Sequence, residues 1–514
     1  MRGMEQGQVK GATDRFAFPW LPVVALVLIW SLSCNPIRDP DFWWHLRTGQ
    51  VIVETRSIPR QDPFSFSAFG RPWVAHEWLF EAILFLIYRA GGLAAVIAAK
   101  AFLVTATAAV VWGLAWNMTR QEALATLITL LTTLATLPGW AERPQLLTYL
   151  FLALLLALLQ AWQRGASARL LGVLPFLTVI WVNVHGAYVV EFMVLAVYVA
   201  VGLGRWWQKG RAEEEWKRVR CLFAVGALGA IASLLNPHTY QAWLYPFQYL
   251  GPSVHKAYIA EWQPPAFGDA AIWPFLILLV STVAALLGTG RAFQTENVVL
   301  WGIFTLMALQ SQRHLPLAAL VAAPVLADRL GAAWQSWQTR AREKAPRILP
   351  AAPRLAWGVL VLGSLMGLLA AQGAWASWQT IVQTERPWYR TFFPVGAVAY
   401  LQAHPQPRRM FNHYAWGGYL IWHLPQQPVF IDGRADMYGP EIMKDYHSVC
   451  TLQPGWKAIL EKYRIDSVLC PADKPLAAAL SEMEQWEHVY SDQTSALFVR
   501  RVQDPKEERR CPCR

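Results

Sequence analysis

Apolar residues run along this chain in long blocks, and the polar residues between them fall in short, distinct stretches. A helix rises 1.5 Å per residue, so about 20 apolar residues cover the hydrocarbon core of a bilayer. Blocks approaching or exceeding that length lie near residues 18–34, 93–116, 122–138, 145–162, 169–184, 187–206, 219–235, 271–289, 297–311, 315–330 and 356–374, which predicts about eleven crossings. The block Glu77 to Ala90 is apolar but short, and it stops at Gly91-Gly92. Charge decides its placement. Laid along the membrane surface as an interfacial helix, it puts the basic loop 205–220, Arg164 with Arg169, and the segment 329–354 on the cytoplasmic side, as retention of Lys and Arg requires. The tail 1–17 is then cytoplasmic and the carboxyl terminus lies outside.

This topology carries a consequence that did not enter its construction. Glu142-Arg143-Pro144-Gln145, Asn183 with His185, Asn236-Pro237-His238, Glu261-Trp262 and Arg313-His314 all come out at outer ends of crossings. They face the same side as the first outer loop, 35–92, whose stretch Arg38 to Glu77 holds Asp39, Asp41, His45, His76 and Glu77. Lys100 sits about two turns inside its crossing, near enough to snorkel outward. Ionisable groups at such depths pair, line a cavity or act, so one extracytoplasmic polar cavity is the economical reading.

Each group also has a plainer role. Asp39 suits a helix cap and Asp41 a first helical turn. Trp43 and Trp44 fit an aromatic belt at the membrane interface, in a chain with 28 tryptophans. His45, four residues after Asp41, shares its helical face and either orients the carboxylate or is structural. Glu77 also suits the start of the following helix. Arg143, Arg313 and His314 are anion-contact candidates, with pairing of Arg143 to Glu142 or Glu261 as the alternative. Asn183 and Asn236 read as interhelical hydrogen-bonding groups.

Composition narrows the class without moving the site. The chain has 514 residues, 55% hydrophobic and 15% charged, which excludes an ordinary soluble domain. The net charge of +11 is carried largely by short loops between apolar blocks, so membrane topology explains it and nucleic-acid binding is not expected. No phosphate-cradling glycine loop, zinc-ligand spacing or internal repeat is present, which speaks against an ATP-driven pump, a metallopeptidase and an inverted-repeat transporter. Six cysteines show no metal-like clustering; a Cys450 to Cys470 disulfide stays open, and Cys511 and Cys513 belong to an incidental tail, 505–514. Block 18–34 reads as an uncleaved anchor.

Beyond the membrane part, 18–374, the composition becomes mixed, and 375–504 reads as a small extracytoplasmic α/β domain. RRMFNHY, PVFIDGR, IDSVLC, EHVYSD and SALFVRR are predicted strands; WGGYLIWHL, Gly439 to Val449 and GWKAILEKY are predicted helices. The motif Asp432-Gly433-Arg434-Ala435-Asp436 follows an apolar strand, a position where open α/β sheets bind ligands, but reads as a structural turn in preference to a binding site. The expected fold is therefore a mainly α, polytopic helical membrane protein with that small α/β domain appended.

The first span, the outer loop opening on Asp39-Pro40-Asp41, the second acidic motif before a short helix ending in glycine, the many spans and the outer domain together resemble the GT-C superfamily of membrane glycosyltransferases. That superfamily includes protein O-mannosyltransferases, aminoarabinose transferases and oligosaccharyltransferases. The strings DPDFWWHL, PRQDPFSF, HEWLFE, ERPQ, NVHG, RHLPL and VFIDGRADMYG resemble an uncharacterised bacterial multispanning subgroup. The resemblance implies transfer of a sugar from a polyprenyl-phosphate-type lipid donor to a protein, lipid or glycan acceptor, outside a bacterial inner membrane. It implies that the first-loop acid, Asp41, or Asp39 one register earlier, acts as base, and that Arg143, Lys100, Arg313, His314, His45, His76, Glu77, His185 and Glu261 surround donor phosphate or substrate. Some members use a divalent cation such as Mg or Mn, for which Asp39, Asp41 and Glu77 are the candidate ligands. Glu77 is followed by Trp78, where aminoarabinose-transferase-like members carry a basic residue and proline. A polysaccharide polymerase or ligase, with its chemistry in the late loop 237–269, and a noncatalytic transporter or envelope assembly scaffold remain the alternatives.

Overall fold

The computed structural model describes residues 20–247, 259–288, 293–344, 390–405 and 409–501, with scattered positions between 365 and 379. The expected crossing 356–374 and the tails 1–17 and 505–514 lie largely or wholly outside these residues.

The apolar blocks become helices: α1 Trp20–Ser33, α2 Phe42–Thr55, α3 Trp78–Thr119, α4 Glu122–Ala135, α5 Gln145–Gln163, α6 Leu174–Val184, α7 Val189–Gln208, α8 Glu213–Ala232, α9 Tyr240–Phe247, α10 Trp273–Gly288, α11 Thr295–Gln310 and α12 Leu315–Lys344. Among the described residues, five helices are long and apolar enough to cross a membrane, and three shorter ones are apolar. By length and composition these helices suit a multi-pass membrane protein. In the spanning window of α12, 89% of residues are buried, against 22% for α10, so α12 is the central helix and α10 faces outward. Short loops between antiparallel helices alternate the ends of the bundle. The turns after α1, α4, α6 and α11 therefore share one end.

Helix α3 is two helices in series. Gly91 and Gly92 break it, Gly92 at φ +62° and ψ −154°, a conformation essentially confined to glycine. The segment before the break, starting at Trp78, is the expected short helix and packs against α2.

The carboxyl-terminal part contains α13 Val395–Ala403, β1 Met410–Asn412, α14 Gly417–His423, α15 Ala435–Cys450, α16 Trp456–Lys462, β2 Ser467–Pro471, α17 Pro475–Ser481, β3 Trp486–Ser491 and β4 Ser495–Arg500. Its sheet has the order β1-β2-β4-β3, with β1 and β2 parallel and the other pairs antiparallel. Four of the five predicted strands are present. PVFIDGR is the correction: it forms no regular strand but an extended bridge, with Val429 paired in parallel to both Met410 and Ser65. Phe66 N–H donates to Val429 O at 3.0 Å and Val429 N–H to Phe64 O at 3.1 Å. The Asn412 amide takes over as partner for the next residues, accepting from Phe430 N–H at 2.7 Å and donating to Ile431 O at 2.8 Å. The segment thus fastens the sheet to the first loop. Cys450 and Cys470 are free thiols, so the pairing left open above is absent.

Candidate active site

The loop after α1 delivers two carboxylates to one arginine. Asp39 accepts the N–H of Asp41 at 3.0 Å, which tightens the turn before α2. Both oxygens of Asp39 then meet Arg143, in the loop between α4 and α5: Nε donates to Oδ2 and Nη2 to Oδ1 at 2.7 Å. Arg143 Nη2 also lies 3.0 Å from Asp41 Oδ2, and Nη1 lies 2.9 Å from Oε1 of Glu261, which comes from the loop between α9 and α10. One guanidinium therefore gathers three carboxylates from two loops, leaving a formal excess of negative charge when all are ionised.

That excess separates the two aspartates. Burial raises both, but for Asp39 the forked contact with Arg143 outweighs it and holds the group below the usual carboxylate range. Asp41 has the weaker contact and the Asp39 charge beside it, so burial prevails and its carboxyl is pushed up to about 6. Asp39 is the structural partner of Arg143, while Asp41 is a carboxylate of raised basicity with its side chain still 16% exposed.

A second cluster centres on Glu77. His76 Nε2 lies 3.3 Å from Oε1, His185 Nε2 3.8 Å from the same oxygen, and His45 Nδ1 3.6 Å from Oε2. Burial penalises the Glu77 charge, yet the imidazoles led by His76 keep it well below the usual range. His45 also meets Glu81 Oε1 at 3.2 Å, and this contact with Glu77 raises the imidazole against its burial. Burial pushes His185 down to about 3, so that ring is neutral. Thr148 Oγ1, which accepts from Trp181 Nε1 at 2.8 Å, lies 2.8 Å from His185 Nδ1 and so ties this ring to α5 and α6.

The metal expectation needs correcting on this geometry. Asp39 and Asp41 are held by Arg143 and do not join Glu77; the donor atoms that converge within 4.8 Å of one another, among the described residues, belong to His45, Glu77 and Glu81. Glu81 Oε2 is buried with no hydrogen-bond partner. An orphaned carboxylate oxygen beside a histidine and a second carboxylate fits a divalent cation. Glu81 was missed because it sits inside an apolar block, although its i, i+4 spacing from Glu77, matching that of Asp41 and His45, was there to be read.

The remaining candidates divide. Lys100 is buried and engaged by Glu142 and by both the carbonyl and side-chain oxygens of Asn35. It joins the bundle beneath the site and presents no free cation to it. Glu142 and Arg143, adjacent in sequence, thus serve different partners. Arg313 is exposed, its guanidinium 5.2 Å from the centre of the Trp262 ring, and forms no ion pair among the described residues. His314 Nδ1 lies 3.3 Å from Met307 O. Asn183 and Asn236 do bond between helices: the Asn183 carbonyl accepts from Trp78 and from Asn236 at 2.8 and 3.2 Å. Trp43 and Trp44 are not belt residues. Trp43 packs edge-on to Phe393 and Tyr419, and both tryptophans are buried because the carboxyl-terminal part covers α2.

That covering places the Asp432 to Asp436 motif over the site. Arg434 is buried between the rings of Phe64 and Trp73, its carbon 4.9 and 4.7 Å from their centres. It lies 2.9 Å from Asp62 Oδ1 and 2.6 Å from Asp432 Oδ2. Asp436 accepts from Tyr245 at 3.0 Å, and that ring lies against His76 at a tilt of 34° with centroids 4.0 Å apart. Beside the motif a cavity of about 230 Å³ is lined by Ile259, His413, Tyr414, Met443, Tyr446 and His447. The Tyr414 hydroxyl donates to Gly433 O at 3.2 Å, which joins this cavity to the Asp41 cluster.

No protein-family model matches the chain, and no curated protein matches its sequence. Its fold does have solved likenesses. Archaeal oligosaccharyltransferase AglB from Archaeoglobus fulgidus, in complex with an inhibitory peptide and a dolichol-phosphate, matches with a TM-score of 0.59 at 12% identity, over 93% of this chain and 74% of that one. ArnT from Cupriavidus metallidurans, bound to undecaprenyl phosphate, matches with a TM-score of 0.52 at 15% identity, over 93% and 97%. The same archaeal oligosaccharyltransferase in complex with Zn and sulfate matches at 0.51 and 12%, over 94% and 73%. At such identities the likeness establishes the fold alone: this chain shares the overall fold of those two enzymes.

Proposed function

We propose that the protein is a membrane glycosyltransferase that moves a sugar from a polyprenyl-phosphate-type lipid donor to an acceptor on the extracytoplasmic face of a bacterial inner membrane. The observation that carries this reading is Asp41, a part-exposed carboxylate raised to about 6 and tethered by Arg143 at the loop end of a GT-C bundle. A base of that strength is ionised at neutral pH yet binds a proton more readily than an ordinary aspartate, as general-base attack by an acceptor hydroxyl or amide requires. Asp39 and Glu261 hold Arg143 in place, and Arg143 in turn aims Asp41.

The leaving lipid phosphate gathers negative charge, and the cluster around Arg143 is itself acidic, so another cation must meet it. Arg313, exposed and without an ion pair among the described residues, is the candidate for that role. His45, Glu77 and Glu81 would hold a divalent cation, which when bound supplies positive charge beside the departing phosphate. Two of the three solved likenesses carry dolichol-phosphate and undecaprenyl phosphate, which supports a lipid-phosphate donor here. The cavity beside Tyr414 supports an acceptor site on the far side of Asp41 from the bundle. Glu261 brings the late loop 237–269 to Arg143, which favours one composite site over a separate ligase centre in that loop.

The test is replacement of Asp41 by Asn in the native host, with surface glycans profiled by mass spectrometry and the protein shown to be folded and abundant. A loss of about 100-fold or more in transfer is expected. An unchanged glycan profile would sink the reading.

A further inference from the structure

Two glycines of the carboxyl-terminal part, Gly418 and Gly433, sit against the Asp39 to Trp44 stretch with no room for a side chain, and a third, Gly417, is equally tight against Ile431 and Asp432. At Gly418 a methyl would stand 2.6 Å from Pro40 O and 3.2 Å from Trp44 N. At Gly417 it would stand 2.6 Å from Asp432 Cα, so α14 is wedged between the first loop and the Asp432 turn. At Gly433 it would overlap Asp41 Oδ1 outright, with Asp41 Cγ at 2.7 Å and Trp44 Nε1 at 2.9 Å. None of these glycines has a positive φ, so backbone conformation does not require them; close approach does. The turn itself cannot drift, because Asp432 and Arg434 are buried and Arg434 is fixed by Asp62 and two aromatic rings. Trp44 Nε1, buried and without a partner, faces the same notch.

We propose that Gly433 is the seat of Asp41: a positioning residue, supplied by the far end of the chain, whose missing side chain leaves the notch in which the catalytic carboxylate rests. The inference rests on Asp41 being the base. The Arg143 fork pulls the carboxylate from the bundle side, and the backbone at Gly433 bounds it from the other. The carboxyl-terminal part is then a component of the catalytic centre, and its docking fixes where the base points.

The test is a double-mutant cycle on the full-length protein in detergent, read by thermal unfolding. Gly433→Ala should lower the midpoint by roughly 5 °C in the native background, the scale of an overpacked core position. With Asp41→Ala the overlapping atom is gone, and Gly433→Ala should then cost roughly 1 °C, since Trp44 needs only a slight shift. Gly418→Ala meets backbone and should cost the same in both backgrounds. Should Gly433→Ala fail to fold, recovery of folded yield by Asp41→Ala takes the place of the midpoint. A second readout is the fraction of Asp41 that reacts with dicyclohexylcarbodiimide, which adds to protonated carboxyls in apolar surroundings. It should change several-fold in Gly433→Ala and stay constant in Gly396→Ala, a tight glycine whose neighbours, Tyr490 and Asp492, are not part of the Asp41 cluster. Equal loss in both backgrounds, or unaltered Asp41 reactivity, overturns the seat. If the coupling is found while Asp41→Asn leaves transfer intact, the seat stands and the base reading falls.

Discussion

At the scale of single residues the site trades stability for a usable base. The Asp41 carboxyl is raised from 3.8 to about 6. A carboxyl raised by folding is more stable protonated, so its contribution to folding is full below the unfolded value and is lost as pH rises through about 6. Asp41→Asn should therefore raise thermal stability at pH 7.5, by on the order of 1–3 kcal/mol, with the gain shrinking toward pH 4. A stability difference that does not depend on pH would show that Asp41 does not carry this penalty. Activity should run the other way: the base is competent only when ionised, so transfer by the native protein should fall as pH drops through about 6. A rate that is flat from pH 5 to 8 would point to another base. Glu81 supplies a separate prediction. If its orphaned oxygen awaits a cation, Mn²⁺ added to metal-stripped protein should raise the unfolding midpoint, and Glu81→Gln should abolish that rise. An equal rise in both proteins would place the cation elsewhere.

At the scale of elements, the break in α3 lets the helix carrying Glu77 and Glu81 lie against α2 while the rest enters the bundle. Gly92 has φ +62° and nothing within 4 Å of where a side chain would go, so Gly92→Ala tests backbone strain alone. It should destabilise by about 1–3 kcal/mol, visible as a lower unfolding midpoint; an unchanged midpoint would mean the break tolerates an L-residue. This break was legible in the sequence because Gly91-Gly92 interrupts an apolar block, and apolar blocks report directly on helices in lipid. The polar span ends were legible as a set for the same reason: once the crossings were counted, Arg143, His185 and Glu261 had to share a face with Asp41. What could not be read was pairing within that set. Lys100 and Arg143 both looked like phosphate ligands, and only three-dimensional placement gives Lys100 to Glu142 and Arg143 to three carboxylates. PVFIDGR has the composition of a strand, but its backbone groups are satisfied by Phe64, Phe66 and the Asn412 side chain, and no local pattern encodes such distant partners.

At the scale of the whole molecule, the first outer loop and the carboxyl-terminal part are tied together across the site. Asp62, in the first loop, and Arg434, in the carboxyl-terminal part, are both almost wholly buried, and the Asp432 to Tyr438 segment closes around them. Arg434 answers two buried carboxylates, so removing it strands Asp62 and Asp432 together. Breaking a buried pair in this way costs roughly 3–5 kcal/mol, far more than an exposed ion pair. The cost should not spread evenly. Strands β2 and β4 pair with each other and not with the first loop, whereas Val429 is held by Phe64 and Phe66. In Arg434→Met, amide exchange measured by mass spectrometry should rise in 62–73 and 429–438 together, while 467–471 and 495–500 keep their protection. Faster exchange in 429–438 alone would mean that the first loop stands without its partner. Uniform exchange would mean that the pair holds the whole fold rather than the joint. Concerted release of the two segments is the signature of a latch. Because Gly433 lies between the buried Asp432 and Arg434, opening that latch would move the backbone against which Asp41 rests.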